Sequence, residues 1–516
     1  MSGQTLILAG DCRTQDPLRP RAGAIGILDG KVACAGSRAE VAAVLPRARI
    51  VQTDGIIIPG FVDCHLHALW LGRRESRLDT DDAGSLTEVL ARIRAAARSQ
   101  PADAWLLGSG GFNETAFPEG RLPTLKELDD ASGGRPLLLD RRAHDGLANS
   151  AALRAAGVYA ASPDPEGGCI HRDGSGTPTG LLVERAAVDL VERAAPEPTV
   201  SVRAGWIRAA HERLLAAGIT SVADPALTPA DIAAYLELYG SGGLRVRTTA
   251  FPLGGDGIDP EDLEQQVLAT GILTADPAWL RLGPVKIFLD GGGGLGTALR
   301  HDCWPGTASH GVQATRTQTL RDYVSWAAAS GRGLAVHAVG PAAVDLALNV
   351  LAEPGIRWMS GQIHLIHAYL EQRPESMARA AALNVALASQ PALHRAVAPM
   401  VRQRLGAQAA ESIGRLARWQ AAGVLVGGGS DAPGPRIEPL AGIEEAASDV
   451  GRTAALALFT RDSAQLLGSD AGILRPGAPA DLVVLRIDPE TAVLPESAGS
   501  ETGNIAAVYS AGRLVG

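Results

Sequence analysis

Short apolar runs recur along the chain, and most are followed by an Ala-rich stretch with helical spacing. Eight of these runs read as buried strands: Ile56–Asp63, Ile219–Asp224, Arg245–Phe251, Pro284–Leu289, Leu334–His337, Ile363–His367, Asn384–Ser389 and Val424–Gly429. Helical stretches such as Thr317–Ala329, Ala342–Leu351 and Ala409–Ala421 lie between them. Strands that alternate with helices build a parallel sheet, and eight such units close into an α/β architecture, the (β/α)8 TIM barrel. The two ends are patterned differently. Thr5–Leu8, Ala24–Leu28 and Val32-Ala33 are strand-like, with a hairpin signal at Asp29-Gly30. Ala480–Leu485, Ile505–Tyr509 and Arg513–Val515 mirror them at the other end. Neither set has enough strands to stand alone. The expected organisation is therefore a small composite β-sandwich domain from residues 1–54 plus 472–516, around a barrel at 55–471. Roughly 70–215 reads as an insertion on the catalytic face, a lid or substrate platform.

Composition narrows the class. The chain has 516 residues, 46% hydrophobic and 20% charged, with a net charge of −9 and no basic block, so nucleic acid is not an expected partner. Five scattered cysteines without a Cys-x-x-Cys suit a reducing compartment. The apolar start at Thr5–Ala9 is too short for a signal peptide, and no run is long enough to span a membrane. The expectation is a cytoplasmic protein acting on a small molecule, with a homodimer as one open assembly.

The chemistry gathers at strand ends. Ile56–Phe61 leads into Val62-Asp63-Cys64-His65-Leu66-His67. Residues i and i+2 of a strand share a face, so His65 and His67 would project together where a barrel keeps its site. Lys286, inside Val285–Asp290, must be paired or neutralised if buried, and a neutral amine can take up carbon dioxide as a bridging carbamate. His337 ends one strand. His364 and His367 share another but have opposite parity, so only one is expected to face inward, and His367 is the choice. Asp431 ends the last strand, after Gly427–Gly429. Together these residues would suit two divalent cations, zinc by donor type, sharing a bridging water.

At this point the chain resembles the amidohydrolase superfamily, and within it the amidohydrolase-3 branch of YtcJ-like proteins and N-substituted formamide deformylases. The resemblance is carried by Pro59–His67, His144–Ser150, Thr179–Glu184, Val285–Gly291, Val336–Gly340, Ser430–Pro433 and Gly477–Val483. It implies a metal centre with His65, His67, Lys286, His337, His367 and Asp431 as ligands and a carboxylated Lys286. It also implies a substrate contact at His144. Asp431 would take a proton from metal-activated hydroxide's parent water and pass it to the leaving nitrogen. The implied reaction is hydrolysis of a C–N bond in an amide or N-substituted formamide. Ile366 and Pro341 replace acidic residues common in the branch. Trp70 and Phe112 are candidate pocket aromatics.

Two rivals stay open: a mononuclear deaminase of a heterocycle, and a non-catalytic barrel scaffold. Gly291–Gly296 fits G-x-G-x-x-G, but Asp302, Pro305 and Gly306 interrupt any following helix, against nucleotide binding. No Gly-x-Ser-x-Gly elbow occurs.

Overall fold

The computed structural model describes residues 5–100, 104–110, 112, 114, 117–141, 145–165, 168–434, 437–492 and 501–515. It divides into two units: Met1–Leu71 with Ile207–Gly516, and Gly72–Trp206.

The first unit holds a seven-stranded sheet built from both ends of the chain. Its spatial order is Arg513–Leu514, Ile505–Ser510, Leu482–Leu485, Arg49–Pro59, Thr5–Arg13, Arg21–Leu28 and Lys31–Gly36. The Asp29-Gly30 turn has φ of 51° and 77°, the left-handed geometry of a tight hairpin. Leu6, Leu8, Ile25, Ile57, Leu482 and Val484 form its core. Val41, on the helix Arg38–Val44, covers Ile7 and Ala24 on the opposite side.

Two parallel sheets carry the strands that end at the site. One runs Leu280–Leu282, Arg247–Pro252, Ile219–Leu227, Phe61–Asp63. The other runs Val285–Phe288, Leu334–Ala338, Ile363–His367, Ala386–Ser389, Val426–Gly428. Backbone hydrogen bonds also pass between the sheets, from Gly254 N–H to the Lys286 carbonyl (2.8 Å) and from Cys64 N–H to the Gly428 carbonyl (3.1 Å).

The expected single strand Ile56–Asp63 is two. Ile56–Pro59 pairs with Leu482–Leu485 in the large sheet, whereas Phe61–Asp63 pairs with Ile219–Val222. The break falls at Gly60, where a Cβ would lie 2.1 Å from Thr220 Oγ1, so only glycine lets the chain pass from sheet to sheet. The three-residue strand Leu280–Leu282 was not expected, being too short to show a pattern.

A buried ion pair ties the sheets of this unit together. Arg247 Nε lies 2.6 Å from Asp481 Oδ2, and Asp481 Oδ1 also accepts the Ala511 N–H at 2.7 Å. The guanidinium stacks over Trp279, 4.3 Å from the ring centre. Removing one partner of a buried pair strands the other charge and costs about 3–5 kcal/mol. Asp481→Ala is therefore expected to lower the chemical-denaturation midpoint sharply, and an unchanged midpoint would contradict this account.

The second unit is a six-stranded sheet: Cys169–Arg172, Pro178–Val183, Asp145–Ala148, Leu137–Arg141, Leu106–Ser109 and Leu78–Asp79. Its keystone is the fully buried Asn149. The Asn149 Oδ1 accepts the N–H groups of Leu137 and Ala152, and its amide donates to Ser132 Oγ and the Arg135 carbonyl. Part of the Asp145–Ser150 motif is thus structural: it caps the helix Ser150–Ala155 and pins a strand start.

Candidate metal centre

Aspartates stand at or near the carboxyl ends of several of the parallel strands, and most are committed to backbone. Asp63 accepts the N–H groups of His65 (3.0 Å) and Ser430 (2.9 Å), fastening the tip of the Phe61–Asp63 strand to the loop after Val426–Gly428. Asp224 accepts from Ala68 and Leu69, both at 3.1 Å, and from the Tyr235 hydroxyl at 2.5 Å. Burial pushes both carboxyls up to about 7. Asp290 accepts the N–H groups of Leu299, Val339 and Gly340. These three loop-fixing roles were not read from sequence, although each aspartate sits at the end of an apolar run, as Asp431 does.

Asp431 is different. Its own N–H donates to the His65 carbonyl at 2.8 Å, and its carboxylate faces the imidazoles. Oδ1 lies 3.3 Å from His65 Nε2 and 3.5 Å from His67 Nε2, and Oδ2 lies 4.0 Å from His367 Nε2. One ligand atom from each of His65, His67 and Asp431 falls within 4.8 Å of the other two. The His337 and His367 rings are 4.9 Å apart, and those of His65 and His367 are 5.6 Å apart. The fold therefore brings His65, His67, His337, His367 and Asp431 together. Lys286 is fully buried close enough to add to the fields at His65, His67 and His367. His144 lies outside the described residues.

His364 and His367 share a strand but meet different surroundings. Register pairs Lys286 with Ala335 and Ala335 with His364, so Lys286 and His364 share a face. His367, the last residue of its strand, has the opposite parity and a φ of 75°, and its Nε2 lies toward Asp431, whose own φ is 57°. Such left-handed values in non-glycine residues persist where surroundings over-determine them. His367, chosen for its place at the carboxyl end, is the one that lies by Asp431, whereas His364, also buried, donates from Nε2 to the Gly361 carbonyl at 2.8 Å.

The electrostatics suit a cation. Burial holds His65 and His367 well below the ordinary imidazole range and lowers His67 to about 3. Burial also brings Lys286 down to about 7. These imidazoles are neutral near pH 7, the form that binds metal. His67 Nδ1 donates to the Pro225 carbonyl at 3.2 Å, leaving Nε2 as the lone pair that faces Asp431. Trp70 stacks on the His67 ring at 4.0 Å. Phe112 packs in the core of the second unit beside Phe117.

Among the described residues, both ring nitrogens of His65, Nδ1 of His337 and His367, and Nζ of Lys286 lack a hydrogen-bond partner although buried. His65 Nε2 is near Asp431, and His337 Nδ1 is 3.1 Å from Asp290 Oδ1, but neither contact has hydrogen-bond alignment. Buried ligand atoms left unsatisfied beside the converging His65, His67 and Asp431 fit a metal ion.

The family model for the amidohydrolase family matches residues 53–515. The chain belongs to the amidohydrolase family. It is 30% identical over 470 residues to the YtcJ protein of Bacillus subtilis, named as an amidohydrolase, covering 86% of each chain. It is also 30% identical over 403 residues to the N-substituted formamide deformylase of Arthrobacter pascens, covering 75% of this chain and 73% of that one. A solved metal-dependent hydrolase from Pyrococcus furiosus superposes with a TM-score of 0.80 at 25% identity, covering 94% of this chain and all of that one. This amidohydrolase is therefore a hydrolytic enzyme, and family and site together support a divalent metal as its cofactor. No described helix is long and apolar enough to cross a membrane.

A further buried residue escaped the sequence. His394, on the helix Pro391–Leu405, has an unpartnered Nε2 and packs its ring 4.8 Å from Tyr369. Burial lowers it to about 3, opposed by the field of Asp431. Only the tertiary fold brings this helical residue near the strand ends.

Proposed function

We propose that the enzyme hydrolyses a C–N bond of an amide or N-substituted formamide at a centre of two divalent cations, most simply zinc. The reading also takes the two parallel sheets as a closed (β/α)8 barrel, 55–471, with the composite β domain of 1–54 and 472–516 and an insertion at about 70–215. The convergence of His65, His67 and Asp431 beside a buried Lys286 that has no hydrogen-bond partner among the described residues carries the proposal. His65 and His67 would hold one cation, His337 and His367 the second. Asp431 would complete the set, and Lys286 would bridge the pair as a carbamate. The lowered pKa of Lys286 favours the neutral amine that carbamate formation needs. When bound, the cations supply Lewis acidity and acidify a water molecule.

The protein's own part is proton handling and orientation. Asp431 is 22% exposed, so its carboxylate reaches both the imidazole cluster and the space a substrate would fill. There it would take the proton from the attacking water and deliver it to the departing nitrogen. Asp63, Asp224 and Asp290 hold the loops that fix this geometry. His144 is the proposed further substrate contact. Cytoplasmic action on a small molecule completes the reading.

The tight His65–His67–Asp431 triangle alone also suits a single cation, and so favours a mononuclear deaminase as the second reading. Metal analysis separates them. Purified enzyme is expected to hold about two equivalents of metal, and chelation is expected to abolish amide hydrolysis, with recovery on adding the metal back. One equivalent, with ammonia released from heterocycles, would favour the deaminase. No bound metal and no hydrolysis would overturn both.

A further inference from the structure

A cavity of about 230 Å³ opens beside the histidine cluster. His337, His367 and Asp431 form its polar end. The remaining wall is Leu295, Val339, Tyr369, Leu393, Val397 and Met400, with backbone from Gly292 and Gly294. Among the described lining residues there is no lysine or arginine. The three apolar residues on one helix, Leu393, Val397 and Met400, recur at helical spacing, so the Pro391–Leu405 helix turns one continuous apolar stripe toward the cavity. Small residues let the neighbouring loop pack closely against this wall. A Cβ on Gly293 would lie 2.9 Å from the Tyr369 hydroxyl, and one on Gly294 would lie 3.0 Å from Met400. The Gly293 N–H donates to the Tyr369 hydroxyl at 3.2 Å, which fixes that ring as part of the wall. Sequence reading dismissed Gly291–Gly296 as a nucleotide loop. The structure gives Gly293 and Gly294 a different use, close approach of this loop to Tyr369 and to the Pro391–Leu405 helix.

From this geometry we infer the substrate class: a neutral amide whose substituent next to the scissile bond is apolar, branched or aromatic, with the Pro391–Leu405 helix setting specificity. The inference rests on the proposed hydrolysis. A pocket with one polar end and an apolar wall orients a ligand whose reacting end is polar and whose tail is not. An acidic tail would lose its hydration against Leu393, Val397 and Met400 with no described cation in the wall to meet it.

The test uses the full-length, metal-loaded enzyme. The substrates are N-methyl-, N-butyl-, N-benzyl- and N-carboxymethylformamide, which share one scissile bond. The expected kcat/KM rises at least tenfold from methyl to benzyl, and the carboxymethyl compound is at least tenfold slower than butyl. Val397→Trp fills the cavity and is expected to cut the benzyl-to-methyl ratio at least tenfold. Met400→Ala, at a half-exposed position, offers a milder change in the same direction should the tryptophan variant fail to fold. Binding is read separately by thermal shift with two sulfonamides that lack the scissile carbonyl, N-benzylmethanesulfonamide and N-(methylsulfonyl)glycine. The first is expected to raise the Tm of the parent enzyme, and not that of the Val397→Trp variant; the second is expected to raise neither. If no formamide is turned over but the probes behave as stated, the proposed reaction fails and the apolar subsite stands. Preference for the acidic compounds, or ratios and shifts indifferent to both variants, overturns the subsite.

Discussion

Lys286→Met abolishes hydrolysis and stabilises the metal-free protein: this is the expected pair of results for a lysine kept for chemistry at the expense of the fold. Partners of metal ligands typically cost 10–100-fold when removed, so loss of the bridge itself should exceed about 100-fold in kcat/KM. Metal content should fall with it. In Lys286→Ala, millimolar propionate is expected to restore part of the activity, because a small carboxylate can occupy the space of the carbamate. Stability should move the other way. Lys286 is fully buried with no hydrogen-bond partner among the described residues, and its pKa falls from 10.5 to about 7 on folding. Between those values the unfolded chain binds the extra proton, so the metal-free protein gains stability as pH rises through that window and loses it as pH falls toward 7. Each unit of depression is worth about 1.4 kcal/mol, so the penalty near pH 7 is several kcal/mol. Lys286→Met removes it. The metal-free variant should therefore melt above the metal-free parent at pH 7 and match it more closely near pH 10. Full activity and metal content in Lys286→Ala would end the bridging proposal.

Asp431→Asn is expected to lower kcat by about 10²–10⁴-fold, the usual worth of a positioned proton-transfer group. The amide keeps the shape of the carboxylate but cannot accept the proton. Its N–H to the His65 carbonyl is a backbone bond, so the local turn should survive the change. The folded structure can be checked by circular dichroism and the loss by a kcat-against-KM comparison. A defect confined to KM would make Asp431 a binding residue and not the proton carrier.

Much of the molecule could be read before it was seen. The strands around Lys286, His337 and His367 stand where alternation of apolar runs and helices put them, because parallel strands buried on both faces must be continuously apolar. The terminal strand runs share one sheet, as their individual shortness required. His65, His67 and Lys286 stand out along the chain for a physical reason: a titratable group inside or closing an apolar run is costly unless it has a task.

Other features were hidden for equally physical reasons. Asp63, Asp224, Asp290 and Asp431 look alike along the chain, each closing an apolar stretch. Three of them accept two or more backbone N–H groups each, and Asp431 faces three imidazoles. No local pattern encodes that difference, since the partners of Asp224 lie some 155 residues away. The left-handed φ of His367 could not be read from the chain, although its place at the carboxyl end of the strand could. His394 sits in a helical segment whose neighbours in sequence say nothing of Asp431. The chain by itself determined which residue types stand at strand ends, since burial and hydrogen-bond chemistry restrict them locally. Only the tertiary structure decided which of those groups remain unsatisfied and face one another, because that depends on which distant N–H groups arrive to claim the rest.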